Sequence, residues 1–382
     1  MNYRNLLLMV SIFCGVTSAQ VEFEFSGYVT EMPIYQKMDE NLALTYGIKD
    51  DIFMNLNRLR LRPVLYLSDD TRINAEYEIA GLYFSNMGSF DLTSSGKTER
   101  QIVNLSASPV QENKYRVNHF IDRLYIKQRF DFGNIVVGRQ RIQWGSGRIW
   151  NPTDLFNPIN PVNFFKIEKD GADAVSVNYY IGSFTDLNVV FNPNELIAKS
   201  NYGARFRTNY GEYDFAVIGG YFDRQPVAGL DVTGNLVGAG VRFEGIIAGK
   251  SDYNEEYISF IAGIDNQFTA ELYTLIEYHY NGEGTNNIAD YDIAKLASGG
   301  LLNLNTDYIH LSSTYQYNPL INFGLSWMKN INDGSGFVGL SGNYDLIVNL
   351  TARAGAQISF GSMDTEYILY GSSWYLQFDY YF

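Results

Sequence analysis

Basic residues that could bind anions recur at alternate positions along several segments of the chain. Arg58, Arg60 and Arg62 form the first such series, with leucines between them. The full set is Arg58, Arg60, Arg62, Arg72, Arg123, Lys127, Arg129, Arg139 and Arg141. Alternate residues of a β-strand share a face, so each series predicts a row of cations. Guanidinium groups bind carboxylates or phosphates through paired hydrogen bonds, and such a ladder lining a pore would favour anions.

Acidic residues follow the same alternation and leave a second interpretation open. Glu76 and Glu78 continue the face that Arg72 begins. If these acids pair with the arginines, the ladder fills and hydrates an interior instead of selecting anions, as is routine inside barrels. Both interpretations assign the nine basic residues to the lining of a pore.

Catalytic chemistry finds little support in the residues. The three histidines are His119, His279 and His310, and the last shares a strand face with Ser312 and Thr314. No nucleophile stands beside them in a recognisable context, and their scatter in sequence does not indicate a metal cluster. We therefore predict no enzyme activity, no metal and no cofactor.

The stretch 134–161 begins as a strand and then loses its regular pattern. Gly145 and Gly147 permit unusual backbone angles, and the prolines that follow forbid a continuous ladder. We predict that residues 145–169 form a loop that can fold back into a lumen. Its candidate constriction residues are Trp144, Arg148, Trp150 and Asp154. The tryptophans could stack a sugar ring or anchor a strand end at a membrane interface.

The N-terminus predicts a secretory signal peptide over residues 1–19, leaving residues 20–382 as one domain. Arg4 precedes an apolar run, and Thr17-Ser18-Ala19 forms a small-residue cleavage site. A lipoprotein signal is the alternative, but Phe13 stands before Cys14 where a small residue is expected. Since Cys14 is the one cysteine, the mature chain has no disulfides.

Composition and periodicity predict an all-β transmembrane antiparallel barrel with long extracellular loops and short periplasmic turns. Aromatic residues make up 15% of the chain, with 30 Tyr and 35 Gly, as aromatic girdles and crowded strands require. An exported β-sandwich or β-helix is the alternative. The net charge of -14 makes nucleic acid an unfavourable partner.

The number of strands is not fixed by the pattern. About seventeen candidates alternate polar and apolar residues, whereas a single-chain barrel with both ends in the periplasm has an even number. Counts from the two ends disagree between Asp223 and Gln267. We predict sixteen strands, with eighteen as the alternative.

The last strand ends on alternating large apolar residues. They are Trp374, Leu376, Phe378, Tyr380 and the terminal Phe382. This pattern resembles the C-terminal signal of Gram-negative outer-membrane barrels. The resemblance implies that Trp374, Phe378, Tyr380 and Phe382 are read by the barrel assembly machinery. It also implies residence in the lipid of the cell outer membrane.

A second resemblance covers about thirty residues. Gly138-Arg139-Gln140, Trp144-Gly145 and the pairs Asn151-Pro152, Asn157-Pro158 and Asn160-Pro161 resemble the motif of porin-like outer-membrane proteins, including alginate-export-like porins. This implies a barrel, monomeric or trimeric, that passes or exports small hydrophilic solutes.

Two functions of different class follow from these observations. One is a passive channel for small hydrophilic solutes, including anionic ones. The other is a non-conducting surface protein whose loops at 86–118 and 281–303 bind a polysaccharide or another cell. The loop 145–169 decides between them, because it can either narrow the lumen or plug it.

Overall fold

The computed structural model describes residues 21–46, 49–86, 98–157, 168–292, 295–296, 301 and 303–382, so the predicted signal peptide lies outside it. These residues form one antiparallel sheet, which closes on itself where β1 pairs with β19. The strands are β1 (Glu22–Lys37), β2 (Asp51–Tyr66), β3 (Thr71–Phe84), β4 (Ser106–Gln111), β5 (Tyr115–Phe130), β6 (Gly133–Gln140), β7 (Ala172–Tyr180), β8 (Asp186–Asn192), β9 (Asn201–Tyr210), β10 (Tyr213–Phe222), β11 (Gln225–Leu236), β12 (Ala239–Ala248), β13 (Tyr257–Gln267), β14 (Leu272–Asn281), β15 (Asp307–Asn318), β16 (Ile321–Asn330), β17 (Gly336–Ile347), β18 (Leu350–Phe360) and β19 (Ser372–Tyr381). A short helix, α1 (Glu40–Tyr46), follows β1, and 3-10 helices span Ile197–Lys199, Ile288–Asp290 and Glu366–Tyr370.

The two faces of the sheet differ in polarity because successive side chains of a strand point to opposite sides. On β19, Trp374, Leu376 and Phe378 are exposed on the outer face, whereas Gln377 and Asp379 are buried on the inner face. The same alternation recurs around the wall. The prediction of an all-β antiparallel barrel is confirmed. Among the described residues, no helix is long and apolar enough to cross a membrane.

Eighteen of the described strands make up the closed wall, and β4 is an addition to it. The preferred count of sixteen was therefore wrong, and the alternative of eighteen is correct. The even number brings both chain ends to one side, together with the short turns. We call this side the turn end and the opposite side the loop end.

The strand missing from the sequence count is β11, within the region where the two counts disagreed. It lies between two-residue turns in which both residues have positive φ: Asp223 (49°) and Arg224 (67°), then Val237 (53°) and Gly238 (87°). Such type I′ turns are usually marked by Asn-Gly or Asp-Gly. Here neither turn carries that marker, so the hairpins have no clear sequence signal.

A gap in the wall above β6 is closed by a different part of the chain. β6 ends at Gln140, while its neighbour β5 continues toward the loop end. β4 pairs with this upper part of β5, placing Ala107 opposite His119. On the other side, the Asp173 N–H of β7 donates to the Arg100 carbonyl oxygen at 3.0 Å. Residues 100–111 thus complete the wall where the chain after β6 leaves it.

Candidate functional site

The chain leaves the wall after Gln140 and runs into the lumen as residues 141–157, which we call the inner loop. Its first anchor is Trp144, whose side chain is 1% exposed. The Trp144 indole N–H donates to Asn188 of β8 at 2.8 Å, and its ring meets Phe156 edge-on at a centroid distance of 5.0 Å. The loop therefore begins as part of a buried apolar cluster against the inner wall.

Two glutamates of the wall hold the middle of the inner loop. Glu244 on β12 and Glu277 on β14 point into the lumen and are fully buried. Each carboxylate accepts three backbone N–H groups of the loop. The donors are Ser146 (2.5 Å), Gly147 (2.9 Å) and Thr153 (3.2 Å) for Glu244, and Arg148 (3.0 Å), Ile149 (3.0 Å) and Trp150 (2.9 Å) for Glu277. Six backbone hydrogen bonds to two buried side chains fix the path of the loop across the lumen.

Tight turns within the inner loop explain its glycines. Gly145 has a φ of 82°, a conformation that other residues rarely adopt. A Cβ on Gly147 would lie 1.9 Å from the Trp150 carbonyl oxygen, which is a clash. The sequence prediction that these glycines mark an irregular loop is explained by this geometry.

The loop's far anchor is Trp150, which is fully buried. Its ring stacks on His279 at 5.2 Å and meets His310 edge-on at 6.3 Å, and its indole N–H donates to Asn303 at 2.8 Å. Both tryptophans are thus buried inside the barrel. The sequence had suggested that they stack a sugar or anchor a membrane interface, and their burial excludes both roles. Two of the histidines pack around Trp150. Across the described residues, no group of three or more His, Cys, Asp or Glu is arranged to hold a metal.

Part of the predicted arginine ladder is neutralised by acids. Arg60 is 1% exposed and contacts Glu76 (2.7 Å), Glu78 (2.8 Å) and Asp122 (2.5 Å). The remaining ion pairs are Arg58 with Glu78, Arg62 with both Glu76 and Glu168, and Arg123 with Asp122. Asp122 reaches the lumen because an irregularity in the pairing of β3 with β5 turns both Asp122 and Arg123 inward. The upper ladder is therefore a buried charge network.

The lower rungs of the ladder form a different environment. Arg72, Lys127 and Arg129 face the lumen near the turn end, and each is at least partly exposed. Within the part of the chain that the structure describes, no ion pair joins them to an acid. Lys127 instead lies close enough to Arg72 and Arg129 for mutual repulsion. We call these three residues the cation cluster.

Arg139 does not line the pore, contrary to the sequence prediction. It shares a strand face with Val137, which is exposed on the outer wall. Residues 100–105 cover Arg139, so its side chain is 3% exposed. It forms an ion pair with Asp173 (2.7 Å) and donates to the carbonyl oxygens of Ile121 (3.1 Å) and Val103 (2.5 Å). The sequence analysis placed this face of β6 inside the barrel, but it faces outward. Arg139 therefore holds adjacent parts of the wall together instead of lining the pore, and we call it the wall clamp.

The other predicted loop residues differ in their exposure to the lumen. Arg141 lies beyond the end of β6, in the inner loop, and its side chain is exposed. Arg148 is also exposed. Asp154 is 2% exposed and forms an ion pair with Lys169. Burial raises the pKa of Asp154 to about 6, although Lys169 and Arg141 act against that change. Arg141 and Arg148 can meet a solute, whereas Asp154 is a structural residue.

A third glutamate joins the loops at the loop end. Glu366 lies between β18 and β19 and is fully buried. It accepts hydrogen bonds from the Tyr308 hydroxyl (2.5 Å), the Asn330 amide (2.9 Å) and the Leu304 backbone N–H (2.9 Å). Burial raises the pKa of Glu366 to about 6. Through these bonds, Glu366 ties the loops before β15, before β17 and before β19 together.

Comparison with known proteins supports the architecture. No family model matches the chain, and no curated protein matches its sequence. Solved structures that match it include Pseudomonas aeruginosa OccK5 (OpdH), with 8% identity and a TM-score of 0.59, covering 94% of this chain and 98% of that one. P. aeruginosa OccK9 (OpdG) matches with 9% identity and a TM-score of 0.58, at the same coverage. Acinetobacter baumannii OccAB4 matches with 10% identity and a TM-score of 0.56, again over 94% and 98%. At these identities the likeness is one of fold.

Proposed function

We propose that the chain is an outer-membrane channel of the porin type, through which small hydrophilic solutes diffuse passively past the inner loop. The observation that carries the proposal is the exposure of charged side chains inside the barrel. Arg207 on β9 and Arg353 on β18 point inward, yet their side chains are 53% and 34% exposed. Arg148 on the inner loop is exposed as well. Charged groups in contact with water at several positions around the wall support a lumen that is narrowed and not filled.

The membrane location is supported by the outer surface of the barrel. Apolar side chains such as Phe243, Leu340 and Phe378 are exposed on the outer faces of three separate strands. A band of this kind is stable against hydrocarbon and unfavourable in water. We assign the turn end to the periplasm and the loop end to the cell exterior. The signal peptide and recognition of the last strand by the assembly machinery belong to the same proposal.

We assign the solute preference to the cation cluster. The upper arginines are compensated by acids, so they add little net field to the lumen. Arg72, Lys127 and Arg129 have no such compensation and lie on one inner wall. A cluster of uncompensated cations in a pore attracts anions and repels cations. The channel should therefore favour small anionic solutes.

Single-channel recording of the refolded protein in a planar bilayer tests this function. We expect steady conductance and, in a salt gradient, a reversal potential that indicates anion preference. The double substitution K127Q/R129Q should shift that potential toward the cation side. The control K250Q removes the charge of an exposed lysine between β12 and β13, outside the barrel wall, and should leave selectivity unchanged.

Each outcome has a defined meaning. Conductance without a selectivity difference between K127Q/R129Q and the parent would keep the channel and reject the cation cluster. No conductance from a folded barrel would reject the channel and favour the surface protein that acts through its outer loops.

A further inference from the structure

The outer wall carries a polar island within its apolar belt. On β1 the outward positions are Val29, Glu31, Pro33 and Tyr35, and on β2 they are Phe53, Asn55, Asn57 and Leu59. Three of these residues, Glu31, Asn55 and Asn57, are polar, and apolar residues flank them along both strands. Strand pairing places Glu31 opposite Asn57. The three side chains therefore form one patch.

The hydrogen bonds available within the island do not satisfy its polar atoms. The Asn55 amide N–H donates to Glu31 at 2.9 Å. The side-chain amide oxygen of Asn55 (Oδ1) is buried and has no hydrogen-bond partner among the described residues. The Asn57 side chain is exposed and forms no hydrogen bond with any residue that the structure describes. Gly81 on β3 lies beside Asn57, and a Cβ placed on it would meet open space.

The hydrocarbon of a membrane cannot supply the hydrogen-bond partners that the island lacks. Lipid chains offer neither donors nor acceptors, and polar or ionisable groups inside a membrane normally face protein or water. The register of β1 with β2 fixes these residues on the outer face, since a shift of one residue would turn every side chain of the strand inward or outward. The remaining way to give these polar side chains hydrogen-bond partners is contact with another protein surface in the membrane.

We propose that the island is a contact surface for a second copy of this chain, an inference that rests on the proposed membrane location. The patch contains both donors, in the Asn57 amide, and acceptors, in Glu31 and the Asn55 carbonyl. It can thus pair with an identical patch across a closed symmetric contact. Polar side chains are known to join membrane segments in this way.

The wall next to the island also suits a neighbouring barrel. An apolar hollow of about 950 Å³ begins at Tyr35 and Phe53, crosses β19 at Trp374 and extends to Tyr315 on β15. Its floor contains small residues such as Gly342 and Ala354. Two convex barrels touch along a narrow strip. A concave stretch in the wall lets a convex neighbour bury more surface, so the hollow adds contact area beside the polar pairs.

Cysteine crosslinking in liposomes tests this contact. The one native cysteine, Cys14, lies in the predicted signal peptide, so single reporters can be placed in the mature chain. Gly81→Cys puts a thiol beside the intact island. Phe243→Cys puts one on the outer face of β12, on the far side of the barrel. We expect oxidation at high dilution in lipid to give covalent dimers with Gly81→Cys and none above the collision background with Phe243→Cys.

A second set of variants links the crosslink to the polar atoms. In the Gly81→Cys background, E31L/N57L should abolish the covalent dimer. The matched control T185L/T208L removes a hydroxyl pair beside β8 and β9, away from both the island and the hollow. These two hydroxyls bond each other at 2.9 Å, so the control should leave the dimer intact. Equal crosslinking of the two reporters, or a dimer that survives E31L/N57L, would overturn the proposal.

Accessibility of the Phe243→Cys thiol separates this proposal from the proposed function. If a water-soluble maleimide labels that thiol in liposomes, the membrane location itself is wrong. If only a lipid-soluble maleimide labels it and Gly81→Cys still gives no dimer, the barrel is in the membrane and the second-copy contact alone is rejected.

Discussion

At the scale of single residues, the function of a charge depends on which side of the wall it occupies. Arg139 and Lys127 are both predicted pore cations, and they lie on adjacent strands. Arg139 is enclosed by residues 100–105 and bonded to Asp173. Lys127 is bonded to no acid in the described structure. The same residue class thus stabilises the wall in one place and faces the lumen without an acidic partner among the described residues in the other.

The Arg139→Ala substitution should destabilise the barrel without changing its selectivity. It leaves the Asp173 carboxylate without its cation, and the backbone carbonyl oxygens of Ile121 and Val103 without their donor. Removing one partner of a buried ion pair costs about 3–5 kcal/mol of unfolding free energy. Urea unfolding in lipid vesicles measures this loss. The double variant R139A/D173A should recover part of it, and an R139A barrel as stable as the parent would contradict the wall clamp.

At the scale of elements, the inner loop is positioned by the strands opposite its origin. It leaves the wall after β6, but its middle is bonded to β12 and β14 through Glu244 and Glu277. A carboxylate that accepts three backbone N–H groups holds a loop as firmly as a short strand pairing would. The position of the inner loop is therefore fixed by two side chains of the wall.

The Glu277→Ala substitution should widen the channel. It removes three charge-assisted hydrogen bonds, each worth about 1.5–3 kcal/mol, from residues 148–150. The loop segment would then move away from β14, and we expect a larger single-channel conductance with more current noise. Glu271→Ala, an exposed glutamate in the turn before β14, is the matched control. Identical conductance of the two variants would show that Glu277 does not hold the loop.

At the scale of the whole molecule, loops at the loop end are coupled through one titrating group. The Glu366 carboxyl joins three of them and has a pKa raised from 4.5 to about 6 by burial. A raised carboxyl pKa means that the folded state prefers the protonated form. The contribution of Glu366 to stability is therefore complete below pH 4.5 and is lost as the pH rises to about 6.

The pH dependence of unfolding should reveal this coupling. A change of about 1.5 pKa units corresponds to about 2 kcal/mol of unfolding free energy between pH 4.5 and pH 7. Glu366→Gln cannot ionise, so its stability should fall less over the same interval. Denaturant unfolding of both proteins at the two pH values gives the difference. Parallel pH profiles would exclude Glu366 as the titrating group.

Much of the architecture follows from local pattern, and the parts that do not follow have physical reasons. Alternation of polar and apolar residues predicted the barrel, its two faces and most strands, because that period is a property of each strand alone. The sequence does not predict β11, because its turns, Asp223-Arg224 and Val237-Gly238, lack the Asn-Gly or Asp-Gly pair that usually marks such hairpins. A pattern cannot show which unusual turns a fold tolerates.

The candidate site was predictable in composition but not in arrangement. Residues 145–169 were expected to form a lumen loop, and the described residues 145–157 lie in the lumen. Pro158 and Pro161 of the motif lie outside the described residues. The role of Glu277 had no signal in the sequence, because partners more than a hundred residues apart leave no mark in either segment. The bulge that turns Asp122 inward also has no signal in the sequence, and it changes which residues of β5 face the lumen.

The exchange of chain in the wall above β6 decides which segment pairs with the upper edge of β5. Residues 141–145 continue directly from β6, and the upper edge of β5 is a natural partner for them. In the native barrel that edge is occupied by β4, which leaves the inner loop free to turn inward. Residues 100–111 thus take the place in the wall that a longer β6 would otherwise fill. The segment after Gln140 can therefore turn inward and bond to Glu244 and Glu277.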